Sequence, residues 1–320
     1  MTLLVASLFA AHAAAPPPIV NGEATSDFPE VGAITASFNG QDFAFCSGTL
    51  IHERWVLTAA HCAVYAELYQ EQGYDLDFLV SSDVSSSATI DERASITDIF
   101  YDPDYSDQTL RNDVGLIRLG EALDTAPMPM SEETPSLSWL NDDLRFVGFG
   151  VTRYEGTDGG LKRTADLPVV DVDSWFVVTY DEEGQNACSG DSGGAALRIL
   201  GEGQYEVIGA ISFVFALEQG QDPCVEGGAG VARLDVSRGW IDSVMSSYDD
   251  SDPGDTGGYV EDTEDTGIPD NVISSTPSSG YFQEPEKGGC SSVGSRGTEG
   301  PVMVLTLTLL SLFRRRERSV

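Results

Sequence analysis

Histidine is nearly absent from this chain, and basic residues are scarce. Only His12, His52 and His61 occur in 320 residues, which excludes a metal site built from several imidazoles. There are 17 Lys and Arg against 52 Asp and Glu, a formal net charge of −35. So acidic a chain would repel a phosphate backbone instead of neutralising it, so nucleic acid is excluded as a partner. No apolar run reaches the roughly 20 residues that a comfortable membrane helix requires. The two candidates, "MTLLVASLFAAHAAA" at the start and Pro301 to Phe313 near the end, are both shorter. Cysteine is limited to five, an odd number.

What is present defines several zones. The N-terminal apolar run ends in small residues and reads as a secretory signal over 1–15, although no Lys or Arg precedes it. The "PPP" of 16–18 follows at once and would stop a helix. Export sets an oxidising compartment, in which Cys46, Cys62, Cys188 and Cys224 can form two bridges; Cys290 is left over in a different kind of sequence. From 19 to 247 short β-rich runs such as "VGAITASF", "RWVLTAA", "VGLIRL", "RFVGFG" and "YEVIGAISFVF" are broken by Gly, Pro, Asp and Asn. Strands this short and regular indicate an all-β sandwich or barrel. One helix is expected at the end of the zone, where "DVSRGWIDSVMSS" puts Val236, Trp240, Ile241 and Val244 on one face, with Asp235 and Ser237 as its caps.

From 248 to 289 the composition turns to Asp, Thr, Gly, Ser and Pro, which cannot build a core, so this is an acidic disordered linker. The 290–320 segment carries Cys290, a short apolar stretch and the cluster Arg314, Arg315, Arg316 and Arg318.

Three stretches inside the β-rich zone carry chemistry. "NACSGDSGGAAL" spends glycines on a tight turn around Ser192, which raises the question of whether that serine is presented as a nucleophile. "CSGTLIHERWVLTAAHC" ends an apolar strand on His61. "LRNDVGLIRL" runs Asp113 directly into an apolar strand, where a bare carboxylate would be costly to bury and needs a partner; His61 is the natural one.

Together, "TAAHC", "NDVGLIRL" and "GDSGG" resemble the chymotrypsin-like (trypsin-fold) serine peptidases, in that family's order of His, Asp and Ser. The likeness extends to "IVNG", "YDPDY", "GFG" and "GAGVARLDVSRGW". The resemblance implies two six-stranded antiparallel β-barrels with a C-terminal helix. It also implies a secreted serine endopeptidase, monomeric, with protein or peptide substrates and no required cofactor. His61, Asp113 and Ser192 would form the catalytic triad, and the backbone N–H groups of Gly190 and Ser192 the oxyanion hole. Cys46 would bridge Cys62, and Cys188 would bridge Cys224. The new N-terminal amine of Ile19 would pair with Asp191, yet Pro18 precedes it where relatives carry a basic residue. Either another peptidase trims the prolines or the enzyme tolerates an imperfect N-terminus. Asn186 falls at the pocket floor in place of an acidic residue, Val214 where a glycine usually leaves room, and Gly230 on the opposite wall. A neutral floor with a narrowed wall implies cleavage after small or medium uncharged residues instead of Arg or Lys.

The tail looks like the cysteine-containing C-terminal sorting signals of myxobacterial surface proteins, with Cys290 as the processing or lipid-attachment point. That likeness implies membrane attachment through the tail and display at the cell surface. A second class of function stays open, a catalytically silent binding module on the same fold. The acidic "EQGYDLDFLVSSD", read as a loop, offers carboxylates that could hold calcium.

Overall fold

The computed structural model describes residues 19–38 and 41–248. The expected signal (1–15), the prolines of 16–18, the linker beyond Tyr248 and the tail with Cys290 lie outside the described residues.

The chain forms β1 (Glu23–Ala24), β2 (Val31–Phe38), β3 (Gln41–His52), β4 (Trp55–Thr58), α1 (Ala60–Glu71), β5 (Asp75–Ser81), β6 (Ile90–Tyr101) and β7 (Gly115–Leu119). It continues with β8 (Asp143–Gly148), β9 (Arg163–Val172), β10 (Phe176–Thr179), β11 (Ala195–Gly201), β12 (Gln204–Ala216), β13 (Gly227–Arg233) and α2 (Leu234–Ser247). Strands β2-β3-β4-β7-β6-β5 close a first barrel; β9-β10-β13-β12-β11-β8 close a second through the β8–β9 pairing, with β1 added on β9. Every strand pairing is antiparallel. Each of the five β-rich runs singled out in the sequence contains a strand, although "RWVLTAA" leaves β4 after Thr58 and ends in the first residue of α1.

Alternation fills the two interiors. Ile34, Leu50, Val56, Phe78 and Ile117 pack inside the first barrel, and Leu144, Phe146, Val177, Ile208 and Val231 inside the second. A third cluster joins Val31, Leu57 and Leu116 of the first to Val147, Leu197 and Val207 of the second, so the seam between barrels is itself apolar core. Tyr248 continues that cluster, its ring 5.5 Å from Trp55 and 5.5 Å from Phe100.

Three expectations are corrected. The acidic "EQGYDLDFLVSSD" is not a loop: its centre is β5, hydrogen-bonded between β2 and β6, with Phe78, Leu79 and Val80 buried. The Asp77 carboxylate there is engaged by Arg93. At α2 neither Asp235 nor Ser237 caps the helix; Arg233 stands at the N-cap, Asp235 pairs with Arg233, and the buried Ser237 hydroxyl donates to Asp102. Ile241 is buried and Trp240 and Val244 pack partly against the same core, while Val236, expected on that face, is exposed. Helix α1 was not expected at all. It buries only small residues, Ala60, Cys62, Ala63 and Ala66, so it carries no stripe of large apolar side chains to reveal its period. Its approach is close: a Cβ on Gly115 would meet Ala59 O at 2.9 Å and Ala63 Cβ at 3.1 Å.

Candidate active site

The three chemistry-bearing stretches converge where the barrels meet. His61 stands in the first turn of α1, directly after β4; Asp113 immediately precedes the β7 strand of the same barrel; Ser192 sits in the turn that leads into β11 of the other. Asp113 is reached through a chain reversal in which Asn112 adopts a left-handed φ of 55° and Val114 N–H donates to Asn112 O at 2.7 Å. Asn tolerates that conformation. The turn aims the carboxylate inward, where it is fully buried.

Burial of Asp113 is matched by donors. Its Oδ2 lies 2.8 Å from His61 Nδ1, and its Oδ1 accepts the His61 backbone N–H at 2.9 Å. The Ser212 hydroxyl also donates to Oδ2. With Nδ1 engaged as a donor to a carboxylate, the imidazole keeps Nε2 as its free basic nitrogen. The His61 side chain is 19% exposed, against 0% for Asp113, so the ring presents one edge to solvent while the acid behind it is dry. The Tyr65 ring stands 6.3 Å from the His61 ring, edge on.

The turn at Ser192 depends on its glycines. Gly190 has φ +96° and Gly193 φ +77°, both left-handed; a Cβ on Gly193 would lie 2.0 Å from Thr58 Oγ1 and 2.4 Å from Ser47 O. Only glycine fits there. Among the described residues, neither Gly190 N–H nor Ser192 N–H donates within the fold. Two unengaged amides beside one hydroxyl make a site able to receive a developing negative charge.

Asp191 is buried beneath this turn. Its carboxylate accepts Gly150 N–H at 2.8 Å and Cys188 N–H at 2.9 Å, and burial pushes its pKa up to about 6 against those two bonds and the pull of Arg163. Arg163, itself buried, donates from Nη1 to Gly150 O at 3.3 Å. Ile19 is likewise buried, packed with Trp139, Leu144 and Phe146. Val20 exchanges backbone hydrogen bonds with Asn186.

The two disulfides are Cys46–Cys62 and Cys188–Cys224, as the resemblance implied; both fit an extracellular, oxidising setting. The first ties β3 to the turn of α1 that carries His61. Cys46, His61 and Cys62 lie close enough together to suggest a metal cluster, but sulfurs joined to one another offer no thiolate.

The pocket residues are also placed. Asn186 is buried, its Nδ2 donating to Pro223 O at 2.9 Å and its Oδ1 accepting Ala187 N–H at 2.9 Å, so its amide is engaged within the protein. Val214 packs against the Cys188–Cys224 bridge. Gly230 opposes Phe213 across the sheet, and the space its Cβ would fill is taken by the Phe213 ring, 2.2 Å away. Phe213 in turn meets Phe176 edge on at 5.0 Å.

Two participants were missed in the sequence. Ser212 is a lone hydroxyl in the apolar "GAISFVF", and Ser47 follows Cys46 in "CSGTL". For Ser212 a polar residue isolated in a buried run was the available signal, since such a group must find a partner; Ser47, beside Gly48 and Thr49, carried no such signal.

Comparison with known proteins agrees with this arrangement. The family model described as Trypsin matches residues 19–233. The chain is similar to chymotrypsin-like elastase family member 1 of Felis catus, 26% identical over 267 residues, covering 72% of this chain and 96% of the relative. It is also similar to trypsin-1 of Salmo salar, 24% identical over 220 residues, covering 64% of this chain and 83% of the relative. Among solved structures, human heparin binding protein shares the fold with a TM-score of 0.57 at 23% identity, over 72% of this chain and 98% of that one.

Proposed function

Because the chain belongs to the trypsin family of chymotrypsin-like serine proteases, we propose that it is a serine endopeptidase working through Ser192, His61 and Asp113. Its substrates are proteins or peptides, as the family implies. The observation that carries the reading is the two-point hold of Asp113 on His61, through the backbone N–H and through Nδ1.

The chemistry follows from that hold. Ser192 Oγ bonds to the scissile carbonyl carbon while its proton passes to His61 Nε2, because a neutral hydroxyl is a poor nucleophile. The carbonyl oxygen becomes an oxyanion facing the N–H groups of Gly190 and Ser192. His61 then gives the proton to the leaving amine, the C–N bond breaks, and an acyl-enzyme remains. Water, deprotonated by the same nitrogen, releases the acid and restores Ser192. Asp113 keeps its charge throughout and stabilises the imidazolium.

For specificity, the internally bonded Asn186, Val214 against the disulfide and the Phe213 ring over Gly230 support a shallow, uncharged pocket. It would take small or medium uncharged side chains. Residues 248–289 would serve as an acidic stalk and 290–320 as the anchor that displays the enzyme at the cell surface, with Cys290 as the attachment point. The competing reading, a silent binding module, draws on human heparin binding protein; a net charge of −35 argues against a polyanionic ligand for this chain.

A fluorophosphonate probe separates the two. Labelling of the wild type that disappears in Ser192→Ala supports the peptidase, and a correctly folded wild type that takes no label, with or without removal of the residues before Ile19, overturns it.

A further inference from the structure

We infer that Ser47 is a positioning residue for the oxyanion site, clamping both ends of the nucleophile turn from across the barrel seam; this rests on the peptidase reading above. Ser47 lies in β3 of the first barrel and is fully buried. Its hydroxyl donates to Gly190 O at 2.8 Å and accepts Phe149 N–H at 3.0 Å. Its own N–H donates to Ser192 O at 2.8 Å, and its carbonyl accepts the Thr58 hydroxyl at 2.9 Å. All four of its polar groups, two from the backbone and both roles of the hydroxyl, are therefore committed, and two of the bonds reach the residues whose amides face the reacting carbonyl.

The need for such a clamp follows from glycine. The missing Cβ that lets Gly190 adopt φ +96° also lets it swing between peptide orientations at little cost. Asp191 N–H is held on Cys188 O at 3.0 Å, which fixes one edge of the Gly190–Asp191 peptide. Ser47 Oγ fixes the other edge by holding the carbonyl. The planes that carry the donors themselves are held at their carbonyls, Ser189 O by Val151 N–H at 2.9 Å and Asp191 O by Gly194 N–H at 2.8 Å. With Ser47 locking the adjoining Gly190–Asp191 plane and tying down Ser192 O, Gly190 and Ser192 are fixed on both sides before an oxyanion develops, which is the preorganisation such a site depends on. The hydroxyl touches neither substrate nor reacting atoms; it acts through Gly190.

Removing the hydroxyl should weaken binding of the transition state more than binding of the ground state. The test compares wild type and Ser47→Ala for a peptide boronic acid, which forms a tetrahedral adduct on Ser192, and for a non-reactive peptide of the same sequence. Ser47→Ala should lose roughly ten- to a hundredfold in boronate affinity and in kcat, with KM and the affinity for the non-reactive peptide within about threefold. Ser47→Thr, which keeps the hydroxyl, should recover part of the loss. If Ser47→Ala does not fold, as judged by its thermal transition, the same ratio is read in Ser47→Gly. Equal losses for boronate and plain peptide, or no loss in either, would overturn the inference while leaving the peptidase reading intact. A wild type that forms no boronate adduct and takes no fluorophosphonate would overturn both.

Discussion

Asp113 caps the helix that carries His61 with the same carboxylate that orients the imidazole. Helix α1 starts at Ala60 with no side-chain cap from its own N-cap, Ala59; the first-turn N–H of His61 finds its acceptor in Asp113 Oδ1, 52 positions along the chain. Oδ2 meanwhile holds Nδ1. One buried acid thus satisfies an orphan helix donor, meets the N-terminal end of the helix dipole and fixes a ring nitrogen. The position of the base is coupled to the folding of the helix.

Asp113→Asn tests that double role. An amide cannot hold Nδ1 as a donor as the carboxylate does, so kcat should fall by about 10⁴ at neutral pH, while the retained Oδ1 still accepts the His61 N–H and the thermal transition moves by only a few degrees. Steady-state kinetics and calorimetry on one preparation read both. A loss of kcat below tenfold would show that Asp113 does not orient the base.

Ser212→Ala removes one of the donors to the buried Asp113 carboxylate. A hydrogen bond to a charged group contributes about 1.5–3 kcal/mol, so kcat/KM should drop by about ten- to a hundredfold, with no change in the preferred substrate side chain. A changed preference with undiminished rate would assign Ser212 to the pocket instead.

Val214→Gly should deepen the pocket beside the Cys188–Cys224 bridge. The ratio of kcat/KM for a large aromatic side chain over alanine, at the residue preceding the scissile bond, should rise by about tenfold or more, each accommodated methylene contributing about 1–3 kcal/mol. Profiling with a peptide library measures it; an unchanged ratio would remove Val214 from the specificity wall.

Lys162 gives a pH signature. Its Nζ is buried, donates to Phe28 O at 2.9 Å, and desolvation lowers its pKa from 10.5 to about 8. Below pH 8 the group is charged in both folded and unfolded chains, and the folded state carries the cost of a buried cation. Between about 8 and 10.5 the folded protein sheds a proton that the unfolded chain retains, so this group makes stability rise with pH. Lys162→Met should therefore be more stable than wild type at pH 7, by up to about 3 kcal/mol, with the advantage shrinking as pH passes through that window. Phe28 O keeps the Val31 N–H as donor, so the substitution orphans no carbonyl. Denaturant unfolding at pH 7 and pH 10 decides it; a variant less stable at pH 7, or an advantage that does not shrink, would show that the burial cost is small.

Much of this was legible in residues alone. The strands announced themselves because short β-rich runs bounded by turn residues have a period of their own, and "TAAHC", "NDVGLIRL" and "GDSGG" carried His61, Asp113 and Ser192 in a recognisable order. Less legible was anything whose evidence lies in a partner distant along the chain. Helix α1 hid behind alanines, β5 behind its aspartates, and Ser212 behind the apolar run around it, while Ser47 in "CSGTL" looked like any small strand residue.

The sequence by itself determined which groups can react, which cysteines can bridge and where glycine must stand, since these depend on covalent chemistry and on a backbone angle that only some residues adopt. Tertiary structure decided the rest. It took barrel closure to bring Asp113 under His61, to put Ser47 across the seam from Gly190, and to fill the space beside Gly230 with the Phe213 ring. Each of these is a contact between residues on different strands or turns, and hydrogen bonds and packing act through distance in space, which strand order and register set and which no local stretch of the chain encodes.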